Sequence, residues 1–335
     1  QTIVLIGMGG SILGSEAIKF FLEKKIKKQI YFFDNLDTKK ILYLKKREKI
    51  NKVLFIIISK SGNTVETISN FFSLRIIKKK SKNLIIISEK KDNLLSNLAK
   101  QLEIYHVEHN PNIGGRYSVL SEVGMLPAEL MDLDSSKFKQ LNNLIKNKNY
   151  LNSLVNNVDQ ILYFAKRKKF NSIIINYDEK SSNLFNWYQQ LVAESLGKKG
   201  LGILPIVSNM PKDNHSVMQL YLDGFKNNFF TFFYVKEKNS LKINNNQILQ
   251  MQSYLKNKDI DHIIYAQKQA TENVFKNKKI PFRSFEILKR DEKTLGELFT
   301  FFILETILLG RALKINPFDQ PAVELIKTET KKILN

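Results

Sequence analysis

Two rhythms of apolar residues run through this chain. Short apolar runs recur at Ile3 to Ile6, Ile30 to Phe33, Val53 to Ile58, Leu84 to Ser88 and Glu103 to Val107. Most are β-branched or aromatic with no polar break, the pattern of strands buried on both faces. Between them, near 14–25, 37–49, 65–79 and 92–101, apolar residues fall at helical spacing. Repeated βα units of this length predict an α/β fold with a parallel, doubly wound sheet, and ligands at the carboxyl ends of its strands. Residues 137–168 read as one long helical region joining two lobes. A second αβ series follows: strands at Ser172 to Asn176, Leu204 to Val207, Phe229 to Val235 and Phe285 to Leu288, with helices at 181–196, 215–224 and 246–275. A final pair of helices covers about 294–313 and 319–334. The division is thus 1–136, 137–312 and a C-terminal helix at 313–335, and the two lobes read as versions of one sandwich.

Composition narrows the classes. Hydrophobic residues make up 43% of the 335, enough for a large core. No apolar run reaches the ~18 residues of a membrane helix. The absence of Cys removes disulfides, thiolate catalysis and Cys-zinc sites, and a cytoplasmic location is the default expectation. The net charge of +21 suggests a polyanion partner, but the lysines are spread along the whole chain. They read as general Lys, Ile and Asn enrichment, so neither a nucleic-acid nor a membrane partner is assigned. The positive field would still steer an anionic substrate.

Candidate chemistry gathers behind the strands. Ser59, Lys60, Ser61, Gly62, Asn63 and Thr64 follow the third run and precede a helix at Val65. Free N–H groups and the helix dipole favour an anion there, and three hydroxyls add donors. The alternative is simple N-capping by one hydroxyl. Gly7 to Gly14, with Gly10 and Ser11, resembles a dinucleotide fingerprint with Asp34 as the ribose acid. Its spacing fails, because Ile12 stands where the third glycine belongs. Gly114-Gly115-Arg116 would fix a cation at the sheet edge, unless Arg116 forms only a surface ion pair. Gln190 and Glu194 share a helix face, and the carboxylate could act as a general base or be merely solvated. His215 reads as the start of a helix. His106, His109 and His262 show no metal spacing, and no metal is assigned. Gln320, Glu324 and Lys327 share one face of the last helix, which otherwise reads as a salt-bridged surface helix.

Six motifs in order, GMGGSILG at 7–14, SKSGNTVET at 59–67, GGRYSVLSEVG at 114–124, QQLVAES at 189–195, NHSVMQL at 214–220 and NPFDQPAVELIK at 316–327, resemble the phosphoglucose isomerase family from residue 1 to about 330. The resemblance implies two sugar-isomerase (SIS-type) αβα sandwich domains with parallel sheets plus C-terminal helices. It implies a homodimer with shared active sites, no cofactor, and interconversion of glucose 6-phosphate and fructose 6-phosphate through a cis-enediol, in glycolysis and gluconeogenesis. Ser59, Ser61, Thr64 and the Lys60 backbone would hold the phosphate, and Gly10 and Ser11 would line the sugar. Glu194 would be the base and Arg116 the enediolate's cation. His215, entering from the partner, and Lys327 would open the ring, while Gln190 and Gln320 orient substrate. Departures from the family pattern are Gly62-Asn63 in the phosphate loop, Pro321, Ile326 and the loss of the usual Gly-Gln approach to His215. The region before His215 resembles shorter bacterial members. Family members carry a helical segment before the first strand that is not present here, which reads as a fragment or a shortened form. The rival from another class is a SIS-type sugar-phosphate-binding regulator without catalysis.

Overall fold

The computed structural model describes residues 2–334. In the first lobe, β1 (Thr2–Ile6), α1 (Leu13–Phe21), β2 (Gln29–Phe33), α2 (Thr38–Arg47), β3 (Leu54–Ile58), α3 (Val65–Leu74), β4 (Leu84–Ser88), α4 (Leu94–Leu102) and β5 (Tyr105–Glu108) alternate. The strands form one parallel sheet in the order β2-β1-β3-β4-β5. After α5 (Glu122–Leu130), the short α6 (Leu141–Leu144) and α7 (Lys148–Lys166), the second lobe runs β6 (Asn171–Asn176), α8 (Ser182–Leu196), β7 (Leu204–Asn209), α9 (Met218–Asp223), β8 (Asn228–Val235), α10 (Ile260–Asn277), β9 (Phe282–Ile287) and α11 (Glu292–Ala312). Its parallel sheet has the order β7-β6-β8-β9, which repeats the first four positions of the other sheet. The chain ends in α12 (Pro321–Leu334). No helix among the described residues is long and apolar enough to cross a membrane.

The two-residue period of a strand sorts the apolar runs into layers. Ile3 and Leu5 of β1, and Ile56 and Ile58 of β3, face a core shared by both lobes; Val4, Ile6, Phe55 and Ile57 face an outer core capped by Leu44, Phe71 and Leu95. Ile174 of β6 likewise joins the shared core, whereas Ile173 and Ile175 pack outward with Met218, Tyr221 and Phe275. The middle layer is α1, α5, α7, α8 and α11, so each sheet lies between two helical layers. Trp187 of α8 meets Phe299 of α11 edge to face at 4.8 Å, and Tyr188 meets Phe302 at 4.7 Å.

Ions brace the same junction. Arg290, after β9, donates to Asp178 behind β6 at 2.7 Å and to Glu237 behind β8 at 3.0 Å. It also donates to the Phe21 carbonyl at the end of α1, and its guanidinium lies 4.8 Å from the Phe21 ring. Lys24 of the first lobe pairs with the same Glu237 at 2.6 Å.

Several boundaries differ from the sequence expectation. The fifth strand starts at Tyr105, because Glu103 takes a left-handed conformation (φ 52°) that ends α4. The helical region expected at 137–168 is a short turn at Ser135–Phe138, then α6 and α7. Residues 245–255 form separate 3-10 turns rather than the start of a long helix. The helix expected from 215 begins only at Met218.

Glu16 of α1 is a buried carboxyl that sequence reading did not single out. Burial raises its pKa to about 7, with the Asp34 charge adding to the shift and Lys40 opposing it. Between the unfolded value near 4.5 and about 7, only the folded state keeps this proton, so stability falls as pH rises through that window. Glu16→Gln is therefore expected to gain roughly 1–3 kcal/mol over the parent at pH 8 and nothing at pH 4, measured by urea unfolding. Phe299→Ala should cost about 3–5 kcal/mol, followed by the fluorescence of Trp187, the single tryptophan.

Candidate active site

In an open sheet of order β2-β1-β3 the crevice lies between the carboxyl ends of β1 and β3. The chain leaves β1 through a 3-10 turn, Gly9–Ser11, and leaves β3 through Ser59 to Thr64. Gly10 lies against the loop that carries Arg116. A Cβ at position 10 would fall 2.2 Å from the Gly115 carbonyl carbon, so only glycine lets these two loops meet. Gly9 has φ +54° and gives the same closeness to the Gln190 carboxamide.

Arg116 sits in the 3-10 turn Gly115–Leu120 and is 2% exposed. Nε donates to Ser195 Oγ at 2.8 Å. Nη1 donates to Glu194 Oε2 at 3.1 Å and to Gln320 Oε1 at 2.7 Å. Nη2 donates to the carbonyls of Pro317 at 2.7 Å and Asp319 at 3.0 Å. A guanidinium has five N–H donors, and all five are matched here. The expectation of a fixed cation holds, and the alternative of a surface ion pair does not fit this burial.

Glu194 accepts at its other oxygen from Gln190 Nε2 at 3.1 Å, the i, i+4 pair foreseen on α8. Its side chain is 30% exposed, so the carboxylate is pinned on two sides yet open on a third. Tyr117 and Ser195 complete the wall: their hydroxyls lie 2.7 Å apart, and Tyr117 also donates to the Pro317 carbonyl at 3.0 Å. Burial raises the Tyr117 pKa above its ordinary value, which keeps the phenol a donor. Sequence reading passed over Tyr117, Ser195 and the Pro317 and Asp319 carbonyls. The only signal was their adjacency to Arg116, Glu194 and Gln320.

The hydroxyl loop gathers three side-chain oxygens at the start of α3. Ser59 Oγ lies 2.9 Å from Thr64 Oγ1, and Ser61 Oγ lies 3.4 Å from the same atom. Thr64 occupies the N-cap position of α3, but its side chain makes no capping bond, so simple N-capping does not account for the loop. Lys60 sends its ammonium to the carbonyls of Pro111 and Ile113, both at 2.9 Å, which ties this loop to the one bearing Arg116. Opposite the hydroxyls runs α12. A cleft of about 370 Å³ is lined by Ser61, Thr64, Glu66, Glu324, Lys327 and Lys331. Lys327 pairs with Glu324 at 2.6 Å, and both are exposed, a contact worth little in water.

The structure thus joins Arg116, Glu194, Gln190 and Gln320 by hydrogen bonds, sets Gly10 and Ser11 beside them, and places Lys327 across a cleft from Ser61 and Thr64. It does not bring His215 to them. His215 ends a 3-10 turn, Lys212–His215, in the second lobe, with its side chain exposed and no hydrogen bond among the described residues to Glu194, Arg116 or Lys327. Asp34, the residue a dinucleotide would need, pairs with Lys40 at 2.8 Å.

A family model described as phosphoglucose isomerase matches residues 1–335. The chain is 34% identical to a probable glucose-6-phosphate isomerase of Methanococcus maripaludis, over 97% of this chain and 76% of the relative. It is also 34% identical to the glucose-6-phosphate isomerase of Methanocaldococcus jannaschii, over 99% and 83%. Among solved structures, a hypothetical protein from Thermus thermophilus superposes with a TM-score of 0.90 at 25% identity, covering 99% of this chain and 83% of the other. A tagatose-6-phosphate ketose/aldose isomerase from Escherichia coli shares the fold alone, with a TM-score of 0.53 at 11% identity over 96% and 84%. The chain belongs to the phosphoglucose isomerase family.

Proposed function

We propose that this member of the phosphoglucose isomerase family moves a proton between C2 and C1 of a hexose 6-phosphate, with Glu194 as the base and Arg116 as the cation that stabilises the enediolate. The chain is an aldose–ketose isomerase that interconverts glucose 6-phosphate and fructose 6-phosphate, a reaction of glycolysis and gluconeogenesis. The regulator alternative is not favoured, since the curated relatives are named as this enzyme. The observation that carries the residue roles is the 3.1 Å pair of Arg116 and Glu194 at the junction of the lobes.

Ring opening comes first. A base takes the proton of the C1 hydroxyl, the bond from C1 to the ring oxygen breaks, and that oxygen receives a proton. Lys327 and His215 serve this step. His215 stands apart from its own chain's Glu194, which suits delivery from the partner of a homodimer. Glu194 then removes the C2 proton and the electrons pass to the carbonyl oxygen O1; a proton moves from the C2 hydroxyl to O1 within the cis-enediolate, and as C2 becomes the carbonyl carbon the same carboxylate returns its proton to C1. Arg116 meets the developing oxyanion. Its five donors are occupied beforehand, so one acceptor must leave. Gln320 is the suitable one: it is neutral and flexible, whereas Pro317 and Asp319 accept through the backbone and Glu194 is the base. Ser59, Ser61, Thr64 and the Lys60 backbone hold the phosphate away from the reacting carbons, so its binding energy orients them. Gly10, Ser11 and Gln190 shape the sugar's side of the pocket. We place the reaction in the cytoplasm.

Fructose 6-phosphate turnover, coupled to oxidation of the glucose 6-phosphate formed, tests the base. Glu194→Gln should lose at least ~100-fold; near-parental turnover in the folded variant would remove Glu194 from that role. Sharing of sites between subunits is tested by mixing two inactive proteins. Glu194→Gln and His215→Ala, dissociated and reassembled together, should regain about a quarter of parental activity, the statistical share of intact sites in a two-fold dimer. No recovery would mean that each chain uses its own His215.

A further inference from the structure

The approach to His215 is one of the places where the sequence leaves the family pattern, and the turn there is held by side chains. The His215 imidazole is exposed and makes no hydrogen bond with any described residue, so its direction depends on the backbone of the turn beneath it. The Asp213 side chain fixes that turn. Asp213 Oδ2 accepts the N–H of Asn209, the last residue of β7, at 2.7 Å. Ser216 Oγ shares its donor between Asp213 Oδ1 and the Asp213 carbonyl, both at 3.3 Å, so this one residue spans from the strand to the far side of His215.

The anchor reaches further. Asn209 Oδ1 accepts from Asn176 Nδ2 at 3.0 Å and from Ser182 Oγ at 2.9 Å. Ser182 is the first residue of α8, the helix whose last turn carries Glu194. The turn bearing His215 and the helix bearing Glu194 are therefore referenced to the same pair of asparagines, Asn176 and the half-buried Asn209, at the end of the second sheet. A charged acceptor is a strong way to hold a backbone N–H.

We propose that Asp213 is a positioning residue for His215: by bridging the end of β7 to Ser216 it fixes the angle at which the imidazole leaves this subunit, and so governs ring opening. This rests on the reading of His215 as a ring-opening residue. It assigns Asp213 no contact with substrate. The role differs from general bracing of the fold, because its loss should slow one chemical step and leave sugar-phosphate binding alone.

The step can be read by itself. Interchange of the α and β anomers of glucose 6-phosphate needs the ring to open and close but no transfer at C2, and exchange NMR follows it at equilibrium. Binding is read by calorimetry with glucitol 6-phosphate, which has no carbonyl and cannot react. Asp213→Ala is expected to slow enzyme-catalysed anomer exchange roughly 10- to 100-fold, the scale of a misdirected catalytic group. Its affinity for the alditol phosphate should stay within about two-fold, inside the spread of an unaltered site. Asp213→Asn keeps one acceptor for the Asn209 N–H and should restore most of the rate. His215→Ala is the reference. If it slows anomer exchange and Asp213→Ala does not, the positioning role is overturned while the role of His215 stands. If His215→Ala leaves anomer exchange unchanged, the reading of His215 fails and the proposal falls with it. Equal losses of exchange and affinity in Asp213→Ala would mark a structural brace and overturn the proposal as well. Should Asp213→Ala not fold, Asp213→Ser, too short to span both ends, is read against the same outcomes.

Discussion

One guanidinium holds three distant parts of this chain together. Arg116 leaves the loop after β5, and its five N–H groups reach Ser195 and Glu194 on α8 and Gln320, Pro317 and Asp319 in the segment before α12. A buried cation is costly unless every donor is matched, so these five acceptors are required for Arg116 to stay inside. That requirement fixes where the lobes meet and where the C-terminal segment lies. Lys198, just past α8, grips the same segment through Asp319 at 2.8 Å, so the helix of Glu194 and the arm that carries Lys327 are held from both sides. The glycines at 9 and 10 are consequences of this crowding: side chains there would occupy the space of Gln190 and of the Arg116 loop.

The strands were legible because they are buried on both faces, which leaves unbroken apolar runs whose ends need little adjustment. Helix ends were less so. The helix expected from 215 begins only at Met218, because the Asp213 carboxylate turns back to the end of β7 and holds Lys212–His215 as a separate 3-10 turn. Residues 245–255 contain apolar side chains at plausible spacing, but no neighbour buries them, and asparagines favour turns there. The site itself was legible as motifs. Arg116 and the hydroxyl loop follow strands, and Gln190 and Glu194 share a face of α8, where hydrogen bonds join them to Arg116. What no local pattern could give was the set of partners for Arg116. Two are backbone carbonyls some two hundred positions away, and a carbonyl leaves no trace in a sequence. Glu16 was equally hidden, since an acid on a helix otherwise reads as solvated.

Charge plays two parts here. The surplus of lysine is spread over the surface, while a few buried ions set geometry. Arg283 meets Glu305 beneath Tyr188, and Lys268 meets Glu286 and Glu272. Such pairs are weak contributors to stability when compared with apolar packing, but removing one partner leaves a charge stranded. In this chain they sit behind the sheets, whereas Arg116 and Glu194 sit at the crevice.

The two sheets share one strand order, so each has a crevice at the corresponding place. In the first, the carboxyl ends of β1 and β3 present hydroxyls and free helix-end amides. In the second, the residues that follow β6 and β8 are Asp178 and Glu237, and Arg290 joins them to each other and to Phe21 of the first lobe. The charges that would greet a ligand there are already spent on one another. A doubled architecture thus carries unequal chemistry: the charges at the second crevice bolt one lobe to the other, while the first crevice keeps its hydroxyl loop.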